Sequence, residues 1–166
     1  FAFQHFGLSP DIITSAKGLG NGLPIGAVVG KKELGEVFGP GSHGSTFGGN
    51  PLAIAAAIAT MKTIFQEEFL KSVKEKGSYL AKQLSNYLSP FQDITEIRNL
   101  GMMIGIETTL DLALLLKDLR ENGLLALPAG KNVIRLLPPL TVTEDEIDQA
   151  AEILHSVVKN YSKTAV

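Results

Sequence analysis

The chain has 166 residues, of which 45% are hydrophobic and 19% are charged, and its formal net charge at pH 7 is -2. This composition suits one folded domain or parts of two, and it excludes a disordered polymer. The near-neutral charge argues against a nucleic-acid-binding surface, and the absence of cysteine excludes disulfides and thiolate metal sites.

The chain starts within an aromatic-rich stretch, Phe1 to Phe6, that has neither an initiator methionine nor the features of a signal peptide. We therefore expect a piece of a longer protein. Because no apolar run reaches the length of a membrane span, we expect no membrane partner. The absence of cysteine is compatible with a cytoplasmic location.

Two short strands are predicted near the start of the chain, at Asp11 to Thr14 and Pro24 to Val29. Between them, Lys17 precedes a turn, Gly18 to Gly22, that is rich in residues able to adopt positive φ. Lys17 therefore projects from a strand end with space beside it. A lysine that forms a Schiff base needs such a place, although a solvated loop lysine is the commoner interpretation of this pattern alone.

A long loop is predicted over residues 39–50, which contain five glycines together with serine, threonine and histidine. Asn50-Pro51 suits a helix N-cap followed by proline at the first helical position. Small hydroxylated residues and free backbone N–H groups are suited to an anion such as phosphate. The segment is not a Walker loop, and a flexible surface loop is an equally good interpretation.

Two helices are predicted next. The first, Leu52 to Phe65, is alanine-rich and apolar all round, so we expect it to be buried on most sides. The second follows a helical period from Phe69 to Leu88 and ends before Pro90. We place a domain boundary along the second helix, which gives domains of residues 1–75 and 76–166.

The remainder reads as strand, helix, strand and helix. The strands are Met102 to Glu107 and Val133 to Leu137, and the first helix, Leu110 to Glu121, is closed by Asn122-Gly123. A capping box, Thr143 to Glu146, opens the last helix, whose predicted apolar face comprises Ile147, Ala151, Leu154 and Val158. We expect Asp93, Glu96 and Arg98 on a solvated face.

Arg135 lies within an apolar strand. A buried, unpaired charge is costly, so this arginine should have a partner or point into a cleft. Its guanidinium geometry suits a carboxylate, with an edge-strand arginine or a structural ion pair as the alternatives. The three histidines, His5, His43 and His155, lack the spacing of metal ligands.

Three segments together closely resemble class-III pyridoxal-phosphate-dependent aminotransferases. Thr14 to Ala27 (TSAKGLGNGLPIGA) is similar to the family's lysine segment, and Gly44 to Pro51 (GSTFGGNP) to its second phosphate loop. Val133 to Leu140 (VIRLLPPL) resembles its C-terminal carboxylate-binding strand. The resemblance implies an α/β, fold-type I aminotransferase-like structure, made of the end of the large domain that binds pyridoxal phosphate and the small C-terminal α+β domain.

The resemblance also implies roles for individual residues. Lys17 would carry pyridoxal 5'-phosphate as a Schiff base and move a proton between the substrate α-carbon and the cofactor C4′. Thr46 would bind the cofactor phosphate of the partner subunit in a homodimer with shared active sites, and Ser45 would touch the amino substrate. Arg135 would pair with the α-carboxylate of the amino-acid or 2-oxo-acid substrate. No metal is implied.

Within the family, Leu127 to Arg135 is most similar to the acetylornithine subfamily. This implies amino transfer from N-acetylornithine to 2-oxoglutarate in arginine biosynthesis. The ornithine, succinylornithine and 4-aminobutyrate subfamilies, or a related amino-group mutase, remain alternatives. Two non-enzymatic alternatives are a dimerisation or structural module and an unrelated anion-binding domain. Because other cofactor-binding residues of the family lie upstream of the lysine, we expect the 166-residue chain alone to bind the cofactor poorly and to show no turnover.

Overall fold

A computed structural model describes residues 1–162 of the chain. They form two compact units that divide after Gln66. The division precedes the long helix, whose residue Val73 packs against the core of the second unit. The assignment of residues 1–75 and 76–166 to a large and a small domain stays a prediction.

The first unit contains a two-stranded antiparallel sheet, two α-helices and two short 3-10 helices, Lys17–Leu19 and Lys32–Val37. Helix α1 (Ala2–His5) precedes strands β1 (Ile12–Ala16) and β2 (Gly26–Gly30), and helix α2 (Pro51–Ile64) follows a long loop. Strands β1 and β2 pair from Ile12 opposite Gly30 to Ala16 opposite Gly26. Both predicted strands and the predicted loop are confirmed.

Helix α2 begins as the sequence predicts. The Asn50 side-chain oxygen accepts hydrogen bonds from the backbone N–H of Leu52 at 2.9 Å and of Ala53 at 3.3 Å. Within the helix, however, only Ala53 and Ala57 are buried, whereas Leu52 is 68% exposed. Within residues 1–162 the helix is therefore exposed on most sides, and its burial against neighbouring helices or a second subunit stays a prediction.

The second unit is an antiparallel sheet with three helices. Its elements are α3 (Glu67–Leu88), β3 (Ile94–Leu100), β4 (Met103–Thr108), α4 (Leu112–Glu121), β5 (Leu127–Ala129), β6 (Val133–Leu136) and α5 (Glu144–Tyr161). The strand order is β3-β4-β6-β5. The core lies on one face of the sheet and joins inward-facing strand residues to the helices; its fully buried members include Ile104, Ile106, Ile134, Leu84, Leu115 and Leu154.

Strands β3 and β5 were not predicted. The core-facing residues of β3, Ile94 and Ile97, are spaced by three because the pairing register shifts between Ile94 and Glu96, and this irregularity hides the alternation typical of a strand. Strand β5 has only three residues, including Pro128, so it leaves almost no pattern in the sequence. The mixed α/β architecture itself is confirmed.

The predicted capping box of the last helix is confirmed. The Glu146 backbone N–H donates to the Thr143 hydroxyl at 3.3 Å, and the Thr143 backbone N–H donates to the Glu146 carboxylate at 2.8 Å. The Thr143 backbone N–H and, secondarily, the Thr143 hydroxyl group, which donates to the same carboxylate at 3.0 Å, lower the pKa of Glu146. The predicted apolar face is buried in full.

Among residues 1–162, no helix is long and apolar enough to cross a membrane.

Candidate active site

Lys17 follows the last residue of β1 and has a φ of 55°. This left-handed conformation is uncommon for a residue with a side chain and costs about 1–3 kcal/mol, and such residues concentrate at functional sites. The Lys17 side chain is exposed. Within residues 1–162, its amine has neither a hydrogen bond nor a salt bridge. The amine is therefore available to a ligand.

The turn after Lys17 fixes this conformation. The Gly20 backbone N–H donates to the Lys17 carbonyl at 3.1 Å, and the Leu23 N–H donates to the Gly20 carbonyl at 3.2 Å. Gly20 is buried, and a Cβ there would collide with the Leu23 carbonyl oxygen and lie 2.8 Å from the Ile25 side chain. Beside Lys17, a Cβ on Gly18 would meet nothing within 4 Å, so the space expected from the sequence is present.

Ser45 and Thr46 lie on the exposed loop before α2. A turn there is closed by the hydrogen bond from the Gly48 N–H to the Ser45 carbonyl at 3.3 Å. In the described part of the chain, neither hydroxyl group has a hydrogen-bond partner. Because Asn50 occupies two amides of the α2 N-terminus, an anion here would bind the loop itself.

The structure keeps these two segments separate. No hydrogen bond or salt bridge connects Lys17 to Ser45 or Thr46 within residues 1–162. Both segments belong to the first unit, whereas Arg135 belongs to the second. Within the first unit, Lys17 and the loop of Ser45 and Thr46 are therefore two candidate binding elements that no direct polar contact joins, and Arg135 is a third candidate element in the second unit.

Arg135 lies on β6 between the buried residues Ile134 and Leu136, so its side chain leaves the sheet on the face opposite the core. There it lines an open cleft of about 340 Å³. Its Nε atom is buried and has no hydrogen-bond partner in the described residues. A buried donor without a partner is costly, and a bound carboxylate would satisfy it. The expectation of a cleft at Arg135 therefore matches the geometry.

Arg98 lines the same cleft. Its Nη1 atom lies 2.5 Å from a Glu96 carboxylate oxygen and 3.0 Å from a Glu107 carboxylate oxygen. Glu107 also accepts a hydrogen bond from the Asn132 side chain at 3.1 Å. The guanidinium of Arg98, and secondarily Asn132, lower the pKa of Glu107. The positive charge of Arg98 is thus matched by carboxylates, unlike that of Arg135.

The expectation of a solvated face at Asp93, Glu96 and Arg98 is incomplete. Glu96 and Arg98 are exposed, but they belong to a strand that borders the cleft. Asp93 is half-buried and accepts hydrogen bonds from the hydroxyl groups of Thr109 and Ser162 at 2.8 and 2.5 Å. The contribution of Arg98 to the cleft was not predicted because strand β3 was not predicted. The signal for that strand in the sequence was the alternation of Glu96, Arg98 and Leu100.

No cluster of potential metal ligands occurs among residues 1–162.

The comparisons with known proteins agree on one family. Residues 1–158 match the model of the family described as aminotransferase class-III. The chain is 57% identical over 163 residues to the acetylornithine aminotransferase of Bacillus subtilis, an alignment that covers 98% of this chain and 42% of that protein. The chain therefore spans less than half the length of this relative.

Solved structures show the same fold. An acetylornithine aminotransferase from Elizabethkingia anophelis matches with a TM-score of 0.85 and 33% identity, covering 96% of this chain and 43% of that one. An ornithine aminotransferase from Plasmodium yoelii matches with a TM-score of 0.86 and 30% identity, covering 95% of this chain and 43% of that one. The fold is therefore that of the fold-type I aminotransferases.

Proposed function

The chain belongs to the class-III aminotransferase family, and from that membership we propose that the full-length protein transfers the amino group of N-acetylornithine to 2-oxoglutarate in arginine biosynthesis. The observation that carries the proposal is Lys17, held left-handed at a strand end with an exposed and unpartnered amine. The residues present fit pyridoxal phosphate: Lys17 would hold its aldehyde carbon, and Thr46 its phosphate. When bound, this cofactor supplies an electron sink for the substrate α-carbon.

Lys17 has two tasks in this proposal. Its amine would hold the cofactor and, when free, would accept the proton that leaves the substrate α-carbon. Both tasks require an amine that is not held in an ion pair with a carboxylate. Lys17 has no such partner among residues 1–162. The turn closed at Gly20 keeps the lysine in place while the amine moves.

Ser45 and Thr46 offer hydroxyl groups on a loop that no other described residue occupies. We assign Thr46 to the cofactor phosphate and Ser45 to the amino substrate. The family resemblance implies a homodimer with shared active sites, so we assign the loop of one subunit to the site of its partner.

Arg135 binds the substrate α-carboxylate in this account. Its guanidinium can form two parallel hydrogen bonds with a carboxylate, which fixes orientation as well as position. The unpartnered Nε in an open cleft supports this role. Amino donor and oxo-acid acceptor both carry an α-carboxylate, so one arginine serves both half-reactions.

Identity to known proteins favours N-acetylornithine over ornithine. The chain is 57% identical to a bacterial acetylornithine aminotransferase, against 30% for the ornithine aminotransferase with a TM-score of 0.86. Ornithine is the second candidate because that structural match is as close as the match to the acetylornithine enzyme, with a TM-score of 0.85.

Steady-state kinetics of the full-length protein test the proposal. The purified protein is assayed with N-acetylornithine, N-succinylornithine, ornithine and 4-aminobutyrate, each with 2-oxoglutarate. We expect kcat/KM to be highest for N-acetylornithine, by about tenfold or more over ornithine. A preference for ornithine would assign the second candidate, and no turnover of any donor would favour a non-catalytic module.

A further inference from the structure

We propose that Gly105 is a substrate-positioning residue that forms the floor of the Arg135 cleft, where the carboxylate end of the substrate lies directly against the strand backbone. The inference rests on the proposed role of Arg135 as the carboxylate ligand. It adds a reason why a glycine occupies the middle of β4.

Gly105 lies between the two arginines of the cleft. In the sheet register it stands opposite Arg98 on β3 and opposite Arg135 on β6. Residues directly opposite one another on neighbouring strands point to the same face. All three residues line the cleft, so a side chain at position 105 would stand between the two guanidinium groups.

The fold does not require glycine at this position. Gly105 is absent from the glycines of positive φ, so any residue can adopt its backbone conformation. A Cβ there would lie 3.4 Å from a Val133 methyl carbon and 3.6 Å from the Arg98 Cγ, which is ordinary van der Waals contact. Gly20, by contrast, is required by a close backbone approach.

A glycine inside a strand weakens the sheet because it adds backbone freedom to the unfolded chain and contributes no side-chain packing. Such glycines often mark places where a ligand approaches the backbone closely. Neither backbone conformation nor packing requires a glycine at position 105. We therefore attribute the glycine to the open space above it, which is part of the cleft.

The charges of the cleft direct an anion to the Arg135 side of this floor. Arg98 is already held by Glu96 and Glu107, whereas Arg135 has a buried Nε without a partner. A substrate carboxylate would therefore bind Arg135 and lie over Gly105. The Arg98 side would bind no further anion, because the Arg98 guanidinium already pairs with two carboxylates.

The test is a size series at position 105 in the full-length enzyme, Gly105→Ala and Gly105→Val. We expect a melting temperature that is unchanged or higher, and a KM that rises with side-chain size for both the amino donor and 2-oxoglutarate. For Gly105→Val the rise should be about tenfold or more, with a smaller change in kcat. Gly35→Ala and Gly35→Val are matched controls, because Gly35 is exposed, does not have positive φ, and a Cβ added to it would meet no atom within 4 Å.

Arg135→Gln separates this inference from the proposed function. If Arg135→Gln raises KM while folded Gly105→Val leaves it unchanged, the floor is wrong and the carboxylate role stands. If Arg135→Gln leaves KM unchanged, the carboxylate role fails and the floor fails with it. A large fall in the melting temperature of Gly105→Ala would also overturn the inference, because the fold itself would then need the glycine.

Discussion

Lys17 and Arg135 each have a feature that lowers the stability of the fold. The Lys17 backbone is held left-handed, and the Arg135 Nε is buried and has no hydrogen-bond partner within residues 1–162. Strain and unsatisfied donors both lower stability. Residues that lower stability and make no compensating contact are candidates for function. In our proposal Lys17 binds the cofactor and Arg135 binds the substrate carboxylate.

Thr46→Val should weaken cofactor binding in the full-length protein. The substitution keeps the shape of the side chain and removes the hydroxyl group that we assign to the cofactor phosphate. A hydrogen bond to a charged group contributes about 1.5–3 kcal/mol, so the dissociation constant should rise about tenfold or more.

Titration of the apo-protein with pyridoxal phosphate, followed by absorbance, measures this effect. Thr63→Val is the matched control, because Thr63 is an exposed residue of α2 whose hydroxyl bonds only to the Ala59 carbonyl. Equal dissociation constants for Thr46→Val and the unsubstituted protein would remove Thr46 from the phosphate site.

Single residues were predictable from the sequence where their signal is contiguous. The segment around Lys17 and the loop around Thr46 are continuous motifs, and the neighbours of Arg135 show that it is a cation in an apolar strand. Arg98 and Gly105 had no such signal. Their relation to Arg135 depends on the register of three strands, and local sequence does not encode which strands pair.

At the scale of elements, helices were predicted better than strands. The N-termini of α2 and α5 are set by local caps, Asn50 for α2 and the capping box of Thr143 and Glu146 for α5. These caps can be recognised from a few consecutive residues. Strand β3 was missed because its bulge disrupts the alternation, and β5 because it is too short. Both depend on pairing partners that are distant in the sequence.

Thr143→Ala should lower the free energy of unfolding by about 1 kcal/mol, the usual cost of removing such an N-cap. Thr143 accepts the Glu146 N–H bond at the start of α5, and that helix contributes five buried residues to the core. Urea denaturation measures the change. Thr141→Ala, at an exposed position, should have little effect, and equal losses in the two variants would count against the cap.

The ion pair of Glu107 and Arg98 predicts a pH dependence. The folded state lowers the pKa of Glu107 below its ordinary value of 4.5, so folding favours the ionised carboxylate. The stabilisation is therefore present above that ordinary value and is lost as the pH falls through the lowered pKa. Because the pair is partly exposed, its contribution is small.

Glu107→Gln provides the measurement. We expect the unsubstituted protein to be more stable than Glu107→Gln at pH 7, and the difference in urea midpoint to shrink as the pH is lowered from 5 to 3. A difference that stays constant across this range would show that the carboxylate charge contributes nothing to the fold.

At the scale of the molecule, the two units differ in how much apolar surface they bury. The second unit has a continuous core that joins α3, α4 and α5 to the sheet. In the first unit the buried apolar residues are Ala53 and Ala57, while Phe6, Val28, Phe38 and Phe47 are each at least 67% exposed. Large exposed apolar patches mark surfaces that need a partner.

The two units should therefore behave differently in isolation. A polypeptide of residues 67–166 should fold cooperatively, because the core of this unit is continuous. A polypeptide of residues 1–66 should not fold alone, because it buries too little apolar surface to offset the loss of chain entropy. Circular dichroism melts and size-exclusion chromatography test both halves. A cooperative transition in residues 1–66 would contradict this view.

Lys17 carries the cofactor in the proposed function, and mapping of the attachment site is the direct measurement of this role. The full-length protein is loaded with pyridoxal phosphate, reduced with borohydride to make the link permanent, digested, and mapped by mass spectrometry. We expect the label on the peptide that contains Lys17, with Lys31 and Lys32 unmodified. A label on another lysine, or no stoichiometric label on a loaded protein, would contradict the account.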